Sequence, residues 1–90
     1  MINLYRTNGR IEEFPVNPSL QAMQNAVSGM IQMVPLEKEG LPDLYLIYDD
    51  EGKIKGSDVN FEATKIWIKY YGDTDIIVGN VLIADVEDIQ

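Results

Sequence analysis

IKGSDVNFEATKIWIKYY, residues 54–71, holds the chain's only tryptophan and its densest group of aromatic residues. Ala63, Trp67 and Tyr70, with Thr64 and Tyr71 beside them, recur at the spacing that lines one face of a helix, so a helix is expected over about residues 61–70. Asn60 is the expected N-cap, because its side-chain oxygen can accept a hydrogen bond from an unpaired first-turn amide; Asp58 would serve if the helix began two residues earlier. Gly72 suits the position just past the helix end, and Asp73-Thr74-Asp75 continues the break.

Charge sets this stretch apart. Residues 1–52 carry three cations against eight carboxylates, or -5; residues 53–72 carry Lys53, Lys55, Lys65 and Lys69 against Asp58 and Glu62, or +2; the remainder carries five carboxylates, or -5, and the three blocks give the net -8. A positive block running into a helix N-terminus is a sensible anion site, since first-turn amides and the helix dipole both favour negative charge there. Lys53, Lys55, Asn60, Thr64 and Lys65 are its candidate residues. The competing reading makes the lysines a solvated face, Asn60 only a cap, and Trp67 part of the core.

Working towards the N-terminus, Leu44-Tyr45-Leu46-Ile47-Tyr48 is the clearest central strand, followed by a turn at Asp49-Asp50-Glu51-Gly52. That acidic turn lacks the alternating ligands of a calcium loop, so no metal site is expected there. Residues 30–36 read as a strand and residues 37–42 as a charged loop. Asn17-Pro18-Ser19-Leu20 reads as a cap with proline at the first helical position, opening a helix of about eleven residues with Leu20, Met23 and Val27 inward and Gly29 as its stop. Ile2 to Arg6 and Arg10 to Phe14 flank Thr7-Asn8-Gly9, a strong hairpin signal. After the central helix, residues 75–84 form a β-rich run in which Gly79-Asn80 suits a bulge or bend. Residues 85–90 read as a last helical turn or a frayed tail. The order ββαββαβ is dominated by hairpins, and the fold class expected is α+β, one domain over residues 1–90 with a largely antiparallel sheet.

The chain has no cysteine and no histidine. Disulfides, thiolate nucleophiles, Cys/His zinc sites and imidazole acid-base chemistry are therefore excluded. The carboxylate runs Glu12-Glu13, Glu37/Glu39 and Asp49-Asp50-Glu51 read as solvated charge, so no enzyme, catalytic residue or cofactor is expected. Net charge -8 and a pI near 4.2 argue against nucleic acid as a partner. No apolar run is long enough to span a membrane, and the first residues lack the pattern of a signal peptide, so a cytoplasmic protein is expected.

The strand Gly29-Met30-Ile31-Gln32-Met33-Val34-Pro35-Leu36, the strand and turn Leu44-Tyr45-Leu46-Ile47-Tyr48-Asp49-Asp50-Glu51-Gly52-Lys53, the helix start Asn60-Phe61-Glu62-Ala63-Thr64 and the segment Ile76-Ile77-Val78-Gly79-Asn80-Val81 occur in an order that resembles an uncharacterised family of small proteins found in bacteriophages and mobile elements. Its pattern differs in having asparagine in the turn and aspartate where Asn80 stands. The resemblance implies a setting, antagonism of host defence in a bacterial cell, and no functional residues. Two modes of action fit the composition. One is a sponge that sequesters a small nucleotide-type signal, with Tyr5, Tyr45, Tyr48, Trp67, Tyr70 and Tyr71 as stacking surfaces and Lys53, Lys55, Arg6 or the helix N-terminus as anion donors. The other is an acidic inhibitor that covers a basic surface on a host defence protein. A third reading is an accessory homo-oligomer without ligand; five tyrosines and a tryptophan in 90 residues favour self-association in any case.

Overall fold

The computed structural model describes residues 1–89 and contains strands β1 (Ile2–Tyr5) and β2 (Ile11–Phe14), helix α1 (Leu20–Val27), strands β3 (Ile31–Lys38) and β4 (Leu41–Asp49), helix α2 (Phe61–Tyr71), strand β5 (Val81–Asp85) and a 3₁₀ turn at Val86–Asp88. The strands form one antiparallel sheet in the order β2-β1-β5-β4-β3. This is the expected α+β fold with the expected element order. Gln90 lies outside the described residues.

β5 is the centre of the sheet, between β1 and β4, and its first four residues are buried on both faces. Strand alternation sends Leu82 and Ala84 one way and Val81 and Ile83 the other. On the first side they meet Ile2, Leu4 and Ile47 under Met23 and Val27 of α1. On the second they meet Leu36 and Leu46 under Ala63 of α2, with Trp67, Tyr70 and Tyr71 packed alongside. The helices thus cover opposite faces.

Several local expectations need correction. Residues 37–42 are not a loop: β3 and β4 continue to a tight turn at Glu39-Gly40, where both residues have positive φ (54° and 79°), the conformation that joins antiparallel strands without splaying them. α1 is shorter than expected and is capped by Ser19, whose hydroxyl accepts from the Ala22 amide at 3.1 Å; Asn17 sits earlier in a left-handed conformation and donates its N–H to Asp88 O. Pro18 therefore precedes the cap. Ser28, with φ 62°, ends the helix one residue before Gly29. The bend expected at Gly79-Asn80 is present: Gly79 turns the chain at φ 77°, so the run 75–84 pairs continuously only from Val81, and before the bend Val78 makes a single bridge to Val59.

Candidate functional site

Asn60 caps α2 as expected, and the structure shows what else it does. Its Oδ1 accepts from the Ala63 amide at 3.1 Å, while its Nδ2 donates to Tyr5 O at 2.8 Å and to Gly79 O at 2.9 Å. The residue is 0% exposed. One side chain thus ties the α2 start to β1 and to the bend before β5. Thr64 works beside it: its hydroxyl donates to Asn60 O at 2.8 Å and accepts from the Ile77 amide at 3.0 Å. Both residues are committed to holding the fold.

The lysines do not converge on the α2 N-terminus. Lys53, on the turn after β4, pairs with Asp75; Lys55 pairs with Asp49 at 2.7 Å and also donates to Ser28 O at the α1 end; Lys65 pairs with Glu62 at 3.2 Å on the exposed side of α2. The positive block is an effect of sequence counting. Asp75 and Asp49 lie outside residues 53–72, and folding places them against the two lysines that made the block positive. The phosphate-sized point of convergence expected from the sequence is not formed, because each cation already faces a carboxylate.

Tyr45 and Tyr48 are also separated. Three residues apart on β4, they point to opposite faces of the sheet: Tyr48 lies on the α2 side with Leu46, and Tyr45 on the α1 side with Ile47. Tyr48 has the more interesting surroundings. It lines a pocket of about 230 Å³ with Trp67, an apolar wall of Val34, Leu46, Ile77 and Val78, and the polar groups of Asp50, Lys53 and Asp75, with Asp49 also in the lining. This pocket is smaller than the ~300 Å³ at which sites for drug-sized ligands begin, so it matches a single ring or base.

The pocket arises because α2 lays large, half-buried aromatics on the sheet. Trp67 tilts against Tyr71 with ring centroids 4.7 Å apart, and its indole N–H donates to the Thr74 hydroxyl at 2.9 Å. Tyr70 donates to Asp43 at 2.5 Å, which pushes its hydroxyl up to about 12. Hydrogen bonds at the ring tips thus hold the aromatic row in place, and Trp67 borders a gap that Tyr48 and Leu46 also line. Burial, reinforced by the charges of Asp50 and Asp75, raises the Tyr48 hydroxyl above its ordinary value, keeping it neutral and able to donate. The Lys53 ammonium and the Ile76 amide lower the Asp75 carboxyl, so Asp75 stays ionised. Lys53 is 60% exposed, and an exposed pair of this kind is worth only about 0–1 kcal/mol, which leaves the ammonium able to exchange partners at little cost.

Of the residues singled out in the sequence, Lys53, Tyr48 and Trp67 meet here; Lys55, Asn60, Thr64, Lys65 and Tyr45 do not line the pocket. Asp75 to Val78 form one of its walls without any sequence signal beyond their apolar and acidic character. Only the closing of residues 73–78 against Tyr48 and Trp67 brings them to the site.

No helix among the described residues is long and apolar enough to cross a membrane. A family model described as a domain of unknown function, DUF3846, matches residues 4–90, and the chain belongs to that family. The match extends well beyond the strand, turn and helix-start segments that carry the resemblance in the sequence. No curated protein and no solved structure matches the chain.

Proposed function

We propose that this member of the DUF3846 family is a non-enzymatic binding domain that sequesters a small nucleotide-type ligand, its base held in the pocket between Tyr48 and Trp67. The observation that carries the reading is the meeting of two aromatic side chains, an apolar wall and one exchangeable ammonium in a cavity of single-ring size. Aromatic faces and the wall of Val34, Leu46, Ile77 and Val78 favour a flat ring. Asp50 and Asp75 favour a ring that carries amino donors. They also oppose a polyphosphate, so the ligand has few phosphates, and Lys53 leaves Asp75 to meet one of them outside the pocket. Tight binding without turnover suits the role foreseen from the sequence, that of a phage or mobile-element protein which removes a defence signal from its bacterial host.

Thermal shift measurements with nucleosides, cyclic mononucleotides and cyclic dinucleotides test this. At least one such ligand is expected to raise the melting temperature and to be recovered chemically unchanged. Tyr48→Ala abolishes the stabilisation; Lys53→Ala weakens it only for ligands with a phosphate, and barely alters the melting temperature of the free protein. If none of these compounds stabilises the wild type, the sequestration reading falls.

A second reading rests on a different observation. Among the described residues, five of the seven lysines and arginines are in ion pairs with carboxylates, so the surface field is dominated by the remaining acids. Such a surface favours an inhibitor that docks on a basic face of a host defence protein. Complex formation that weakens steeply with salt and survives Tyr48→Ala would favour it over the pocket.

A further inference from the structure

The two edges of the sheet are not equivalent. On β3, the ladder with β4 directs the backbone groups of Ile31, Met33 and Pro35 outward, since the Asp50 amide donates to Met30 O and the residues between alternate. The second half of this edge is closed: Pro35 has no N–H, and the Tyr71 hydroxyl from α2 donates to Pro35 O at 2.6 Å and accepts from the Glu37 amide at 3.3 Å, which leaves a new strand only Ile31 and Met33. The β2 edge has no such cover. The Arg6 amide donates to Arg10 O at 2.9 Å, so Arg10, Glu12 and Phe14 turn their backbone groups to β1, and those of Ile11 and Glu13 point outward.

We propose that a second copy of this chain docks on β2 by antiparallel strand pairing, joining two five-stranded sheets across a two-fold axis. Outward-facing residues must meet outward-facing residues, which leaves three registers within β2: Ile11 on Ile11 of the second copy, Ile11 on Glu13, or Glu13 on Glu13. The last two set like charges opposite each other, Glu12 on Glu12 in one and Glu13 on Glu13 in the other, and such pairs are unfavourable. The first places Arg10 opposite Glu12 on both sides of the axis. Arg10 already lies 3.5 Å from Glu12 within its own strand, and Arg6 holds the same carboxylate at 3.0 Å, so pairing extends an existing charge cluster without creating an unpaired charge. The residue at the axis is apolar and 52% exposed in the single chain. Charge complementarity and the one exposed apolar side chain of β2 therefore select the same register, and a two-fold contact of this kind closes on itself.

Sedimentation and native mass spectrometry test the proposal, with a dimer of twice the 10.2 kDa chain mass expected for the wild type. Ile11→Pro removes an N–H that the single chain does not use, and Ile11→Lys puts two like charges on the axis. Both are expected as monomers with a wild-type circular dichroism spectrum; should the proline variant fail to fold, the lysine variant decides. Arg10→Glu is expected to dissociate the dimer, and Arg10→Glu combined with Glu12→Arg to restore it. A wild type that stays monomeric at high micromolar concentration overturns the proposal, as does a dimer that persists in the folded Ile11 variants.

Discussion

The two faces of the sheet differ in what their helices bring. α1 supplies non-aromatic side chains without polar tips, Met23 and Val27, to a floor of Ile2, Leu4, Ile47, Leu82 and Ala84, and this layer closes. α2 supplies Trp67, Tyr70 and Tyr71, whose polar atoms must reach partners near the surface, at Thr74, Asp43 and Pro35. Rings anchored at their tips cannot sink fully into the layer, and the gap left beside Trp67 is the pocket. Closure and site formation thus follow from the same sheet through the choice between aliphatic and aromatic cover.

Neighbouring residues of β4 test this difference most directly. Ile47 and Leu46 are both buried, but Ile47 belongs to the closed layer whereas Leu46 is a wall of the pocket. Ile47→Ala is expected to cost about 4 kcal/mol, near the upper part of the range for a large-to-small change that leaves an isolated cavity. Leu46→Ala opens into space that water already reaches and is expected to cost about 2 kcal/mol. Equal losses in urea unfolding would break the comparison between the faces.

Asn60 belongs to neither layer and links α2 to the sheet. Cap loss alone would cost about 1 kcal/mol. Truncation also strips the donor from Tyr5 O and Gly79 O at a fully buried position, so Asn60→Ala is expected to cost about 3 kcal/mol. A loss no larger than that of an ordinary cap would show that the α2 start is held by something else.

Trp67→Ala separates the faces from the other side. A fully buried tryptophan costs about 3–5 kcal/mol on truncation, but Trp67 is half-buried beside an existing gap, and about 2 kcal/mol is expected. If chemical denaturation instead gives the full loss, the aromatic layer is as tightly closed as the aliphatic one.

What the sequence revealed and what it hid have a common physical basis. The α2 cap, its inward face and its glycine stop depend on neighbours within a turn or two, and they were legible from Asn60, Ala63, Trp67 and Gly72. The first hairpin was legible from Asn8-Gly9 for the same reason. The Glu39-Gly40 turn was missed because glutamate seldom adopts a positive φ, so nothing local marked residues 37–42 as paired strand. The candidate site failed for a longer-range reason. Charge counted along the chain made residues 53–72 positive, but the partner of Lys53 is 22 residues away and belongs to a segment with no regular structure. Tyr45 and Tyr48 were grouped by composition, although an odd spacing on a strand sends them to opposite faces.

The smallest effect expected concerns the rim of the closed face, where Asp49 is buried between the α1 end and the turn after β4. A Cβ at Gly29 would lie 2.4 Å from an Asp49 carboxylate oxygen, which is why the position after Ser28 must be glycine even though its own φ is not left-handed. Burial pushes the Asp49 carboxyl up, but the Lys55 ammonium and the Glu51 amide outweigh it, and the carboxyl titrates below its ordinary value of 3.8. A carboxyl depressed in the folded state binds its proton more readily when the chain is unfolded. Its stabilisation is therefore complete above the unfolded value and is lost as the pH falls through the folded one. At neutral pH, Asp49→Asn is expected to cost about 1 kcal/mol, since it leaves Lys55 without its buried partner while the lysine itself can turn to solvent. The difference between wild type and variant should shrink as the pH falls below 3.8 and vanish once Asp49 is protonated in both states. A difference that persists where Asp49 is protonated in both states would mean that the side chain acts through the hydrogen bond its Oδ1 accepts from the Glu51 amide, and not through its charge.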